Sequence, residues 1–148
     1  AGPRVPFFAS WPGVIKPGSK CVRTTAHVDL FATCAEIAGA ELPVDAAEDS
    51  FSWLPLFRGG DWAKPRPPVI NHSAGGMFAL RNGKWKLVAG NGSGGREAPK
   101  GKPFAKPYRL FDLSSDLGER KDLAQAKPEL VGRLTTQLED IRIRGRSR

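Results

Sequence analysis

Two histidines, two cysteines and a set of clustered cations are the residues of this chain whose types could do chemistry. His72 stands after the apolar pair Val69-Ile70 and before the turn residues Gly75-Gly76. A strand end leading into a turn is where binding groups collect, since a rigid element presents the side chain at an exposed tip. An imidazole there can hydrogen-bond a substrate or a leaving group. The plainer reading of a lone His, a surface or structural imidazole, stands beside it. His27 opens a predicted helix and reads as a capping or interdomain contact.

Cys21 and Cys34 form no CxxC pair, and neither has a Cys/His spacing suited to zinc. Cys34 falls on the apolar stripe of a predicted helix, so a buried, inert thiol is expected. A disulfide between the two is left open. No acidic cluster offers the six to eight oxygens that calcium takes. The glycine run at 90–95 follows a strand but precedes no helix and lacks Gly-Lys-Ser/Thr, so it is read as a flexible connector rather than a phosphate loop. Asn71-His72-Ser73 and Asn91-Gly92-Ser93 fit the glycosylation sequon.

The net charge of +8 and a pI near 9.9 favour anionic partners. Part of that charge sits in Arg142, Arg144, Arg146 and Arg148, a tail expected to be disordered. No aromatic-basic interleaving marks an RNA-binding sheet, so no nucleic acid is expected. No run of apolar residues is long enough to span a membrane. The only Met is Met77, and the chain opens on Ala1-Gly2-Pro3. A piece of a larger or processed protein is therefore expected.

The elements that would position these residues begin with a strand over 4–11, broken by Pro12-Gly13. A helix over about 26–38 follows. Leu30, Phe31, Cys34, Ile37 and Ala38 recur on one face, which is expected to be buried. Asp29 suits the macrodipole in the first turn, and Gly39 is placed to stop the helix. One or two helical turns are expected over 51–57. Pro65-Arg66-Pro67-Pro68 is an extended linker. Val69–Ser73 reads as a strand leading to a hairpin at 77–88.

Asn82-Gly83 is the preferred two-residue turn for that hairpin. It sets Leu80 opposite Trp85 and Phe78 opposite Leu87, an apolar face that must be buried. The other face sets Arg81 opposite Lys84 and Ala79 opposite Lys86. Like charges so opposed call for open solvent or an anion. Residues 108–113 read as a last strand. A helix starting with Pro128 at its first position follows, with Leu130, Leu134, Leu138 and Ile141 as its buried stripe. Strands followed by a helix suggest an α+β packing.

Taken in order, these pieces resemble the C-terminal portion of the type I, formylglycine-dependent sulfatases, arylsulfatase-like. Arg4–Phe7 with Trp11-Pro12-Gly13 is similar to the family's strand after a glycine pair, which here is Ala1-Gly2. His27–Phe31 with Ala38-Gly39 is similar to its next helix, and Asp49 through Leu54-Pro55-Leu56 to its aspartate-to-Leu-Pro-Leu segment. The hairpin Phe78–Leu87 and Leu110–Leu113 with Asp116 and Gly118-Glu119 complete the set. Leu117 stands where the family has Pro, and Asn71 where it often has the first of two histidines.

The resemblance implies that 1–60 is the end of a larger alkaline-phosphatase-like α/β domain, with strand 4–11 at the edge of its sheet. Residues 61–148 would be a C-terminal subdomain: a small antiparallel sheet of about four strands packed against a helix. It implies hydrolysis of sulfate monoesters by the intact enzyme, with His72 and Asn71 near the substrate. The family's nucleophile stands in C/S-x-P-S-R, which neither Cys21-Val22-Arg23 nor Cys34-Ala35-Glu36 fits. The family's calcium would take its ligands outside this chain, which holds no cofactor of its own. The implied partners are the N-terminal catalytic domain and a sulfated small molecule or glycan. A periplasmic or secreted location is implied for the whole enzyme. Charge alone supports a different class, a non-catalytic basic module that binds polyanions such as sulfated glycans.

Overall fold

A computed structural model describes residues 5–93 and 98–148. The chain divides into two compact units: Pro68–Arg144, and residues 5–67 together with Gly145–Arg148.

In the first unit, four strands form one antiparallel meander in the order β1-β2-β3-β4. They are β1 (Val69–His72), β2 (Phe78–Asn82), β3 (Trp85–Ala89) and β4 (Arg109–Asp112). Helix α3 (Pro128–Arg144) follows. Its predicted stripe holds: Leu134, Leu138 and Ile141 are buried and Leu130 is partly so. Leu130, Leu134 and Leu138 pack on Leu80, Leu87, Ala89, Tyr108 and Leu110, which together make the main core. The α+β architecture with a four-stranded sheet and a C-terminal helix is thus present.

The hairpin differs from expectation by two residues in register. Leu80 pairs with Leu87, Arg81 with Lys86 and Asn82 with Trp85, so the loop is Gly83-Lys84. Gly83 has φ +56, and Asn82 is not left-handed. A left-handed first loop position is the type II′ pattern, which glycine meets without steric cost. A slip of one residue would have exchanged the faces, whereas a slip of two preserves them. Phe78, Leu80, Trp85 and Leu87 therefore still share the face that packs in the main core.

The opposite face is only partly basic. It carries a second small core of Met77, Val88, Phe111 and Leu113. Two of its cations, Lys84 and Lys86, find carboxylates within the chain, and Arg81 Nε donates to Gly83 O. Lys86 Nζ donates to both oxygens of Glu119 at 2.6 and 2.7 Å, and Lys84 Nζ donates to Asp112 at 2.8 Å. Gly90–Ser93 is tied down rather than free: Lys102 N donates to Asn91 Oδ1 and Ser93 N to Pro99 O. A Cβ on Gly92 would lie 2.5 Å from Gly101 N, so the two backbones meet where no side chain fits. Gly94 and Gly95 lie outside the described residues.

In the second unit the expected strand is not formed. Residues 5–10 have no sheet partner, and Arg4 and the Ala1-Gly2 pair lie outside the described residues. An extended segment becomes a strand only when a neighbour takes its N–H and C=O groups. Helix α1 spans Asp29–Ile37, shorter than the expected 26–38, and stops at Gly39 as anticipated. A single helical turn, α2, covers Leu54–Phe57.

The orientation of α1 reverses the expected one. Asp29 is 0% exposed and Thr33 2%, while Phe31 is 61%, Ile37 45% and Leu30 39% exposed. Its polar side faces the interior. Cys34 is accordingly exposed and free, as is Cys21, and no disulfide joins them.

Hydrogen bonds explain the reversal. Asp29 accepts from Arg66 at 2.6 and 3.2 Å, from Trp53 Nε1 at 3.1 Å, and from the backbone N–H of Ala26 and Phe51. Thr33 Oγ1 donates to Asp29 O and accepts from Trp53 N. Ser50 Oγ donates to Val28 O and accepts from Ala32 N, which satisfies an N-terminal amide of the helix.

The arginine tail is docked rather than disordered. Arg146 donates to Val44 O, Arg148 to Pro43 O, and Ser147 N to Asp49 Oδ1.

The core of the first unit gives a quantitative expectation. Leu138 is 0% exposed, so Leu138→Ala should cost about 2–5 kcal/mol, as cavity-forming Leu truncations do. Urea unfolding of the two proteins checks this. The exposed Ile143→Ala should change the unfolding free energy by no more than about 0.5 kcal/mol.

Candidate functional site

The strand end at His72 is the one place where a sequence-predicted site residue reaches the surface on a rigid element. The turn that follows β1 is closed by three bonds. Ser73 N donates to Met77 O, Gly76 N to Ser73 O, and Met77 N to Ser73 Oγ. The β1–β2 pairing sets His72 opposite Phe78. The imidazole is exposed, lies 5.7 Å from the Phe78 ring and has Nδ1 3.2 Å from Ser73 O. Ring contacts continue from Phe78 to Phe104 at 5.3 Å. The Arg142 guanidinium lies over Phe104 at 4.2 Å and is paired with Glu139 at 2.7 Å.

The result is an exposed imidazole backed by two aromatic rings and a cation. The sequence reading missed Phe104 and Arg142, which lie far from His72 along the chain. Only the meander and α3 bring them together.

Asn71 is half-buried and pairs with Ala79. Successive residues of a strand point to opposite faces. Asn71 and His72 therefore do not converge, and a ligand touching both must wrap the strand end. His27 is exposed in the turn before α1, in the other unit.

Acid-base chemistry is sparse. Among the described residues no three of His, Cys, Asp or Glu are grouped to hold a metal ion. The donor set among the described residues does not fit the calcium that the resemblance implies. The shifted carboxylates have structural partners. Lys84 and Ser114 hold the Asp112 carboxyl down to about 2. The backbone N–H groups of Lys121 and Arg120 lower Asp116. Burial, with Glu139 nearby, raises Tyr108.

The comparisons decide what this arrangement belongs to. No family model matches the sequence. The N-acetylgalactosamine-6-O-sulfatase of Bacteroides thetaiotaomicron is 30% identical over 151 residues, covering 97% of this chain and 28% of that protein. Bovine arylsulfatase A is 33% identical over 144 residues, covering 88% of the chain and 28% of its own length. A solved structure from work on glycosaminoglycan metabolism by B. thetaiotaomicron superposes with a TM-score of 0.72 at 28% identity, over 88% of this chain and 27% of that one.

The chain matches the C-terminal portion of a sulfatase. It spans less than a third of the length of the relatives just named. The matched portion holds the exposed His72 and a sheet face on which Lys84 and Lys86 are paired with carboxylates. No helix among its described residues is long and apolar enough to cross a membrane.

The Asp112 pairing carries a pH signature. Its folded pKa, about 2, lies below the ordinary 3.8. Its contribution is therefore fully present above about pH 4 and is lost as pH falls toward 2. Thermal melts followed by circular dichroism should show Asp112→Asn with a flatter stability curve than wild type between those values, and a parallel curve at neutral pH.

Proposed function

We propose that this chain completes a sulfate-monoester hydrolase. Residues 1–60 are the end of its α/β domain and 61–148 a C-terminal subdomain that shapes the substrate cleft. The catalytic nucleophile, a cation for the sulfate oxygens and a general acid are the groups that sulfate ester cleavage needs. In this reading they are supplied by the part of the protein that this chain does not include, calcium among them. His72 is the residue of this chain that meets the substrate, by hydrogen bonding, with Asn71 at the rim. Sulfated glycans or small sulfate esters are the substrate class, and a periplasmic or secreted setting suits such substrates.

The observation that carries this reading is the extent of the match: 97% of the chain aligns with little more than a quarter of an N-acetylgalactosamine-6-O-sulfatase. Nothing in the comparisons favours the polyanion-binding module, and on the hairpin's basic face Lys84 and Lys86 each have a carboxylate partner within the chain.

Two measurements test the proposal. The purified 148-residue chain should hydrolyse no aryl sulfate, and turnover by it would overturn the assignment of catalysis elsewhere. In the longer polypeptide, aryl sulfate should be hydrolysed. There His72→Ala should raise KM or lower kcat/KM by roughly tenfold, the value of one hydrogen bond to a charged group. An unchanged kcat/KM would remove His72 from the site.

A further inference from the structure

We infer that Phe104 is a positioning residue for His72: through Phe78 its ring, backed by Arg142, holds the imidazole in one orientation at the end of β1. This rests on the reading of His72 as the residue that meets the substrate, and it adds the device that aims it.

His72 is exposed, and exposed side chains exchange rotamers freely unless packing limits them. Its packing contact is the Phe78 ring, 5.7 Å away and tilted by 32°. Phe78 is itself backed by Phe104 at 5.3 Å and 39°. Ring pairs at such separations attract and prefer particular orientations. The Arg142 guanidinium closes the row, 4.2 Å from the Phe104 centroid and 5.9 Å from that of Phe78. A cation over an aromatic face is attracted to it, and Glu139 anchors this one at 2.7 Å. The row therefore runs from α3 to the imidazole without a break.

The backbone at Phe104 marks it as more than core filling. Its φ is +59, a left-handed conformation that is a genuine outlier for a bulky residue. Glycine would adopt it without steric cost. An aromatic side chain stands there instead, and the loop around it is fastened. Phe104 N donates to Ala89 O at 2.8 Å, and Pro103 bridges to Gly90. A Cβ on Gly76 would lie 3.7 Å from Pro103 Cγ, so the loop is seated against the turn that follows His72. Residues held in such conformations by their surroundings cluster at functional sites. Phe104 is half-buried against the main core, and a leucine would cover that core as well. What leucine lacks is a ring face for Arg142 and Phe78.

Two readouts test the inference. In the 148-residue chain, the ring protons of the two histidines are followed by NMR, with exposed His27 as the reference. The ring current of Phe78 should displace the His72 signals from those of His27. Phe104→Leu should abolish most of that displacement, and Phe104→Tyr should keep it. His72 signals that are the same in Phe104→Leu as in wild type overturn the inference.

In the longer polypeptide, kcat/KM for an aryl sulfate is measured in the same variants. Phe104→Leu should lower it by roughly threefold or more, a part of the value of the His72 hydrogen bond. Phe104→Tyr should stay close to wild type. The double variant His72→Ala/Phe104→Leu should be no worse than His72→Ala alone, because Phe104 acts through His72. Losses that multiply in the double variant overturn the positioning role in favour of a general structural one. So does an unchanged Phe104→Leu beside an impaired His72→Ala. Wild-type kcat/KM in His72→Ala, with His72 signals that still depend on Phe104, sinks the proposed substrate contact and leaves the ring row standing.

Discussion

The buried carboxylate of Asp29 is the constraint on which the N-terminal unit depends. It is fully enclosed and is gripped by the Arg66 fork, whose side chain is 6% exposed. A charge so buried is tolerated only when its lone pairs are filled. Here five donors from four residues fill them: Ala26, Phe51, Trp53 and Arg66. One side chain thus staples α1, the 50s loop and the proline linker. Trp53 gains a fixed position from it and in turn seats Phe7 at 4.8 Å and Phe57 at 6.2 Å.

The Pro68–Arg144 unit follows a different logic. Its core is apolar and layered, α3 on a meander, and four of its cations, Lys84, Lys86, Arg109 and Arg142, are paired with carboxylates. Exposed pairs of this kind add little stability individually. On the hairpin they give Lys84 and Lys86 carboxylate partners within the chain. What remains available at the surface is the strand end, with His72 against Phe78, Phe104 and Arg142.

Local pattern carried much of this. The α3 stripe, the Pro128 start, the Gly39 stop and the two faces of the hairpin all follow from spacing that adjacent residues set. The parts that were not legible depend on distant partners. Lys86 meets a carboxylate 33 residues away, Lys84 one 28 away and Asp29 a guanidinium 37 away. Periodicity gave α1 the correct stripe and the wrong direction, because hydropathy cannot see that a carboxylate will find Arg66. The tail was read as disordered since its acceptors, Pro43 and Val44 carbonyls, belong to an unrelated loop. At the site, His72 was visible as a strand-end residue. The alternation that separates it from Asn71 was also in the sequence, but only the turn closed by Ser73 and Met77 shows where the imidazole sits.

The most direct test of this account is a double-mutant cycle on Asp29 and Arg66, with Asp29→Ala, Arg66→Ala and the pair measured by urea unfolding. If the polar side of α1 faces inward as described, the coupling should be about 2–3 kcal/mol, the upper part of the range for groups sharing one network. A coupling below about 0.5 kcal/mol, typical of exposed pairs, would show that Asp29 lies at the surface and that α1 turns its apolar stripe inward after all.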